Sequence, residues 1–86
     1  MHFLHTEYPS LGPENVVEVT LDRQANVQLL DDQNFHHYRS GRSFEYRGGL
    51  AKQSPIRLSP PHSGRWHLVV DLGGNRGSVN VATRII

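Results

Sequence analysis

The chain has 86 residues, no cysteine, six histidines and a formal charge of +1. That length supports one hydrophobic core, and the missing cysteines exclude a disulfide framework, a thiolate metal site and a cysteine nucleophile. No apolar run approaches the roughly 20 residues of a membrane-spanning helix, and MHFLHTEYPS lacks the basic-then-apolar order of a secretory leader, so the expectation is one unprocessed cytoplasmic domain over residues 1–86.

The first predicted strand runs from Phe3 to Glu7 and ends before Leu11-Gly12-Pro13. From Asn15 to Leu21, Val17, Val19 and Leu21 alternate with Glu18 and Thr20, the period of a half-buried strand. A further strand is expected from Asn26 to Leu30. Alternation then breaks over Asp31 to Ser40, where Asp31 or Asp32 can cap one or two helical turns near residues 31–39 with Phe35 and Tyr38 on one side. Ser43 to Arg47 reads as a strand with Phe44 and Tyr46 inward, and Pro55 to Leu58 as another. Residues 59–64, SPPHSG, read as a tight hairpin connection into the strongest strand, Arg65 to Leu72, where Trp66, Leu68, Val70 and Leu72 face one way and His67, Val69 and Asp71 the other. Gly73-Gly74-Asn75-Arg76-Gly77 reads as a hairpin turn into a last strand from Ser78 to Ile85. The apolar end Arg84-Ile85-Ile86 is expected to dock as a strand or to pair with another subunit.

Turns about every 8–12 residues argue for an all-β fold, a single β-sandwich, jelly-roll-like, of about seven to eight strands with one short helical turn. Its expected core is Val17, Val19, Leu21, Val27, Leu29, Phe44, Tyr46, Ile56, Leu58, Trp66, Leu68, Val70, Val79 and Val81.

Charge is unevenly distributed. Up to Asp32 the acids Glu7, Glu14, Glu18, Asp22, Asp31 and Asp32 face Arg23 alone, whereas from Gln33 onward eight bases face Glu45 and Asp71. The simplest reading is that the two signs meet as cross-strand pairs. A binding surface is the sharper one. Phe35, His37, Tyr38, Arg39, Arg42, Arg47, Gly48, Gly49, Lys52 and Arg76 combine arginine with aromatic rings outside regular alternation, and Gly48-Gly49 would admit a partner close to the backbone.

Catalytic patterns are weak by comparison. His2 and His5 are three apart in an expected strand and His36-His37 are adjacent, so each pair diverges, and no metal site is expected. No serine sits in a nucleophile elbow, and His62-Ser63-Gly64 belongs to a turn. Asp31-Asp32 fits helix capping better than acid–base work. The glycine run at 73–77 lacks the Lys-Ser/Thr ending and the following helix of a phosphate loop. These absences predict a protein that is not an enzyme and carries no cofactor.

The stretches Val17 to Leu21, Ala25 to Phe35, Tyr46 to Pro55 and Ser63 to Asp71 together resemble a small bacterial family known as domain of unknown function 1883. Their most distinctive part is the run from Tyr46 to Pro55 followed by Gly64-x-Trp66. The resemblance implies a compact β-sandwich, found alone or appended to TIR-type signalling domains, with no catalytic residues to carry over. In outline the chain is also similar to small jelly-roll accessory domains that bind sugars or proteins, an analogy of fold.

The leading expectation is thus a non-catalytic binding or self-association module, of the kind that serves as an accessory domain in bacterial signalling or defence, with a protein partner or a second copy of itself. A sensor of a sugar, nucleotide or other anion comes next. Single-stranded nucleic acid comes last, because a sequence pI of about 8.3 falls short of a strongly basic footprint. No membrane partner is expected.

Overall fold

The computed structural model describes residues 3–73 and 77–86. Among these the chain forms β1 (Leu4–Leu11), β2 (Val17–Leu21), β3 (Ala25–Asp31), α1 (Asp32–Ser40), β4 (Arg47–Ala51), β5 (Ile56–Leu58), β6 (Gly64–Asp71) and β7 (Val81–Ile85). Two antiparallel sheets, ordered β1-β6-β3-β4 and β5-β2-β7, pack as a sandwich. The all-β sandwich with one short helix expected from the alternation is therefore the fold.

The inner faces meet as the alternation requires. Val17, Val19, Leu21, Val27, Leu29, Trp66, Leu68 and Val70 are buried together, with Ile56, Leu58, Val79 and Val81 packed at the margin. Leu11, Ala25 and Ala51 join them unforeseen. Tyr46, expected inside, is 47% exposed, because residues 43–46 are irregular and β4 starts only at Arg47. Phe44 leaves that core as well and packs against a second apolar cluster.

That second cluster lies on the outer face of the four-stranded sheet, under α1. Leu30, Phe35 and Val69 are buried there, with Phe3, Tyr38 and Phe44 against them. The helix forms because Asp31 leaves the strand with ψ 175° and its Oδ1 accepts the Asn34 backbone N–H at 2.8 Å. It stops at Gly41, whose φ of 76° lets the Arg42 N–H reach the His37 carbonyl at 2.9 Å. As a result β6 is covered on both faces, and His67, Val69 and Asp71 are buried rather than solvent-facing.

Only β3 and β4 are both consecutive and paired, and α1 lies between them. Every other connection changes sheet. Residues 59–63 therefore carry the chain from β5 in one sheet to β6 in the other, and β6 and β7 likewise belong to different sheets, so neither connection is the expected hairpin. Each strand buries its apolar face across the sandwich instead of beside its sequence neighbour. Of the glycine run, residues 74–76 lie outside the described residues.

Two local features follow from sheet position. β1 is an edge strand and accommodates Pro9 where its register with β6 shifts between Tyr8 and Leu11. Gly48 pairs with Gln28 of β3 at φ 117°, and a Cβ there would stand 2.2 Å from the Val27 carbonyl oxygen. The uneven charge also finds its partners. Glu18 on β2 lies opposite Arg57 of β5 and Arg84 of β7, with contacts of 2.9 and 2.5 Å.

Candidate ligand-binding cleft

The capping residue Asp31 ends β3 opposite Trp66 of β6. Both occupy inner-face positions, where Leu29 pairs with Arg47 two residues back along β3. Around this end of the sandwich Asp31, Asn34, Glu45, Tyr46, Arg47, Pro61, His62 and Trp66 line a cleft of about 490 Å³. That volume lies within the range of small-molecule sites.

Its wall is tied together by hydrogen bonds. Asn34 Nδ2 donates to Asp31 Oδ1 at 2.9 Å, and Asn34 Oδ1 accepts the Glu45 backbone N–H at 2.8 Å. The Trp66 indole Nε1 donates to the His62 carbonyl at 3.0 Å, and the two rings lie 4.9 Å apart at 45°. His62 Nε2 is 3.7 Å from Asp31 Oδ2. These contacts hold a buried indole at the floor, with the exposed Tyr46 ring at the rim.

The polar lining is mixed in sign. Asp31 and Glu45 contribute carboxylates, Arg47 a guanidinium and His62 an imidazole. Among the described residues the Glu45 and Arg47 side chains have no ion-pair or hydrogen-bond partner, so both remain free to meet a ligand.

The residues singled out by arginine and ring content are placed elsewhere, apart from Arg47. Phe35 is buried under α1, and Tyr38, half-buried, donates its hydroxyl to Asp71 Oδ2 at 3.0 Å. Burial and then Asp71 raise the Tyr38 pKa well above its ordinary value. His37 is half-buried in the last helical turn, and the Arg39 guanidinium stands 5.8 Å from the Phe35 ring. Arg42 and Lys52 are exposed, beyond the ends of α1 and β4. Gly48 abuts Val27, so its missing side chain serves the fold itself, while a Cβ on Gly49 would meet open space. Arg76 and His2 lie outside the described residues.

Sequence reasoning misses Asp31, His62 and Trp66 as cleft residues because each has a local role of its own, as helix cap, turn residue and core residue. Only the Asp31–Trp66 register brings them together. Among the described residues no group of three or more histidines and carboxylates is arranged to hold a metal ion. No helix among them is long and apolar enough to cross a membrane.

The family model described as Domain of unknown function (DUF1883) matches residues 1–86, and the chain belongs to that family. No curated protein and no solved structure matches the chain.

Proposed function

We propose that this member of the DUF1883 family is a non-catalytic binding module that takes a neutral, hydroxyl-rich ring, a sugar, in the cleft floored by Trp66. The observation that carries this reading is the lining itself: aromatic rings of Tyr46, His62 and Trp66 beside free carboxylate and guanidinium groups. Sugars present apolar faces that stack on rings, and their hydroxyls both donate to carboxylates and accept from guanidinium. A polyanion fits less well. It would gain Arg47 but face Asp31 and Glu45, and like charges at close range are unfavourable. Single-stranded nucleic acid meets the same objection, and Phe35, one of the rings expected to stack bases, is buried.

Trp66 is the only tryptophan, so intrinsic fluorescence reports on the cleft directly. Titration with a panel of neutral mono- and oligosaccharides should give a saturable change with one of them. Tyr46→Ala and Arg47→Gln, both at exposed side chains, should stay folded and lose that change. A response confined to nucleotides or other phosphates, or no response to any sugar, overturns the sugar assignment.

Self-association is a second reading, favoured by the open side of β7 and the exposed Ile85 and Ile86 at its end. A binding module that also pairs would suit an accessory domain in bacterial signalling, including one appended to a TIR-type domain. Light scattering over a tenfold concentration range tests it: a mass that stays monomeric removes this reading.

A further inference from the structure

A second cluster lies apart from the cleft, on the covered face of the four-stranded sheet. His5 of β1 and His67 of β6 both point outward from that face, and His5 Nε2 lies 2.8 Å from His67 Nδ1. The other nitrogen of His67 lies 2.7 Å from Asp32 Oδ1, in the first turn of α1. Phe35 stacks on both imidazoles, with centroids 4.3 Å from His5 and 4.2 Å from His67.

With both imidazoles neutral, hydrogen-bond accounting assigns the tautomers. The Asp32 carboxyl is held below its ordinary pKa, first by the His67 hydrogen bond, so it is an ionised acceptor and His67 Nε2 must carry the proton. When both imidazoles are neutral, His67 presents a bare Nδ1 and His5 donates to it from Nε2. The remaining nitrogen of His5, Nδ1, is left as an unprotonated acceptor. Its lone pair diverges from the Nε2 direction, so it turns away from β6 on a strand that is the open edge of the sheet. Among the described residues it has no hydrogen-bond partner, and His5 is exposed.

An imidazole backed by a second imidazole and a carboxylate is the arrangement that activates a nitrogen nucleophile, because positive charge developing on attack can be passed inward. The charges nearby favour a particular electrophile. Arg39 stands over the Phe35 ring that stacks on His5, where a guanidinium can neutralise phosphoryl oxygens. Glu7 and the ionised Asp32 are the opposing charges on this face; Glu7 lies 3.9 Å from Arg65, and Asp32 is bonded to His67.

We propose that His5 is a phosphoryl-acceptor site whose Nδ1 is activated by the Asp32–His67–His5 relay. With a phosphoramidate donor, the Nδ1 lone pair attacks phosphorus as the donor P–N bond breaks and ammonia leaves. The His5 Nε2 proton moves onto His67 Nδ1, and the resulting imidazolium is stabilised by Asp32. No electron donor or acceptor is required.

The test incubates the full chain with phosphoramidate and locates the product by mass spectrometry and phosphorus NMR. One phosphoryl group is expected on His5, at Nδ1, and none on His5→Gln. Asp32→Asn should slow the labelling about 10-fold or more. The Asp32 side chain is 68% exposed, so this variant should fold, which a circular-dichroism melt checks. Arg39→Gln, at an exposed position, should also slow labelling and serves as the second variant if Asp32→Asn does not fold. Attachment at Nε2, labelling shared equally with exposed His36 and His62, or an Asp32→Asn rate equal to wild type would overturn the proposal.

Discussion

The two sheets solve the same problem in different ways. Both bury one face against the other, but the outer face of the four-stranded sheet is roofed by α1, whereas the outer face of the three-stranded sheet remains open. Under the roof, polar strand residues become buried and must be satisfied. His67 bonds to Asp32 and His5, and Asp71 accepts from Asn26, Tyr38 and the Gly73 backbone. On the open face Glu18 is buried as well, but only beneath two exposed arginine side chains in register. Covering a sheet thus converts an alternating strand into one that needs polar networks, and an open face needs only ion pairs.

Removing the shared interior should damage both halves most. Trp66→Ala should cost about 3–5 kcal/mol in chemical denaturation, because it empties the inner core and removes the indole hydrogen bond. A midpoint close to wild type would show that the sandwich does not depend on this ring. Phe35→Ala attacks the roof alone and should cost about 3 kcal/mol, at the low end for this truncation because its cluster is small. Its diagnostic sign is selective loss of amide protection in α1 before β2, β5 and β7; uniform loss would mean that roof and sandwich unfold as one.

Gly48→Ala should follow, at about 2 kcal/mol, since φ 117° is strained for alanine and the Val27 carbonyl blocks a Cβ. Gly49→Ala also has a strained φ, 140°, but an open site, so it should cost less in the same melt. Equal costs would place the whole effect in the backbone angle.

The smallest effect separates the two faces by pH. Burial first, and then His67, lower the His5 pKa below its ordinary 6.5, so the unfolded chain binds a proton that the folded chain resists. His5 therefore contributes fully above about pH 6.5, and its contribution declines as pH falls from there. Glu18 is lowered from 4.5, first by the Arg84 hydrogen bond, and Asp22 from 3.8, first by the Asn80 backbone N–H. Their contribution is present above those values and is lost as pH falls through the depressed ones. Urea midpoints across acid pH should show two descents. His5→Gln should remove the upper one, and Glu18→Gln should flatten the lower one, which Asp22 and Asp32 share. A Glu18→Gln curve with an unchanged acid limb would mean that the arginine pair adds nothing.

Much of this was legible along the chain. Alternation located β2, β3 and β6 within one or two residues, and the Asp31-Asp32 pair announced the helix start because capping is a local event. The strand expected at Ser43 to Arg47 begins instead at Arg47, since the chain must first descend from α1, and Phe44 is drawn under the helix on the way. The candidate site was less legible. Rings and arginines close in sequence form one group by composition, yet Phe35 and Tyr38 turn inward and Arg47 joins residues from three other parts of the chain.

By itself, then, the sequence determined most of the strands, the helix start, most of the inner core and the pairing of an acidic first third with a basic remainder, all consequences of residue type and local periodicity. The tertiary structure alone decided which strands are neighbours, that β6 is covered twice, and that Asp31 meets Trp66 while His5 meets His67. These depend on connections that cross from sheet to sheet, and no local pattern encodes the partner of a strand 30 or more residues away.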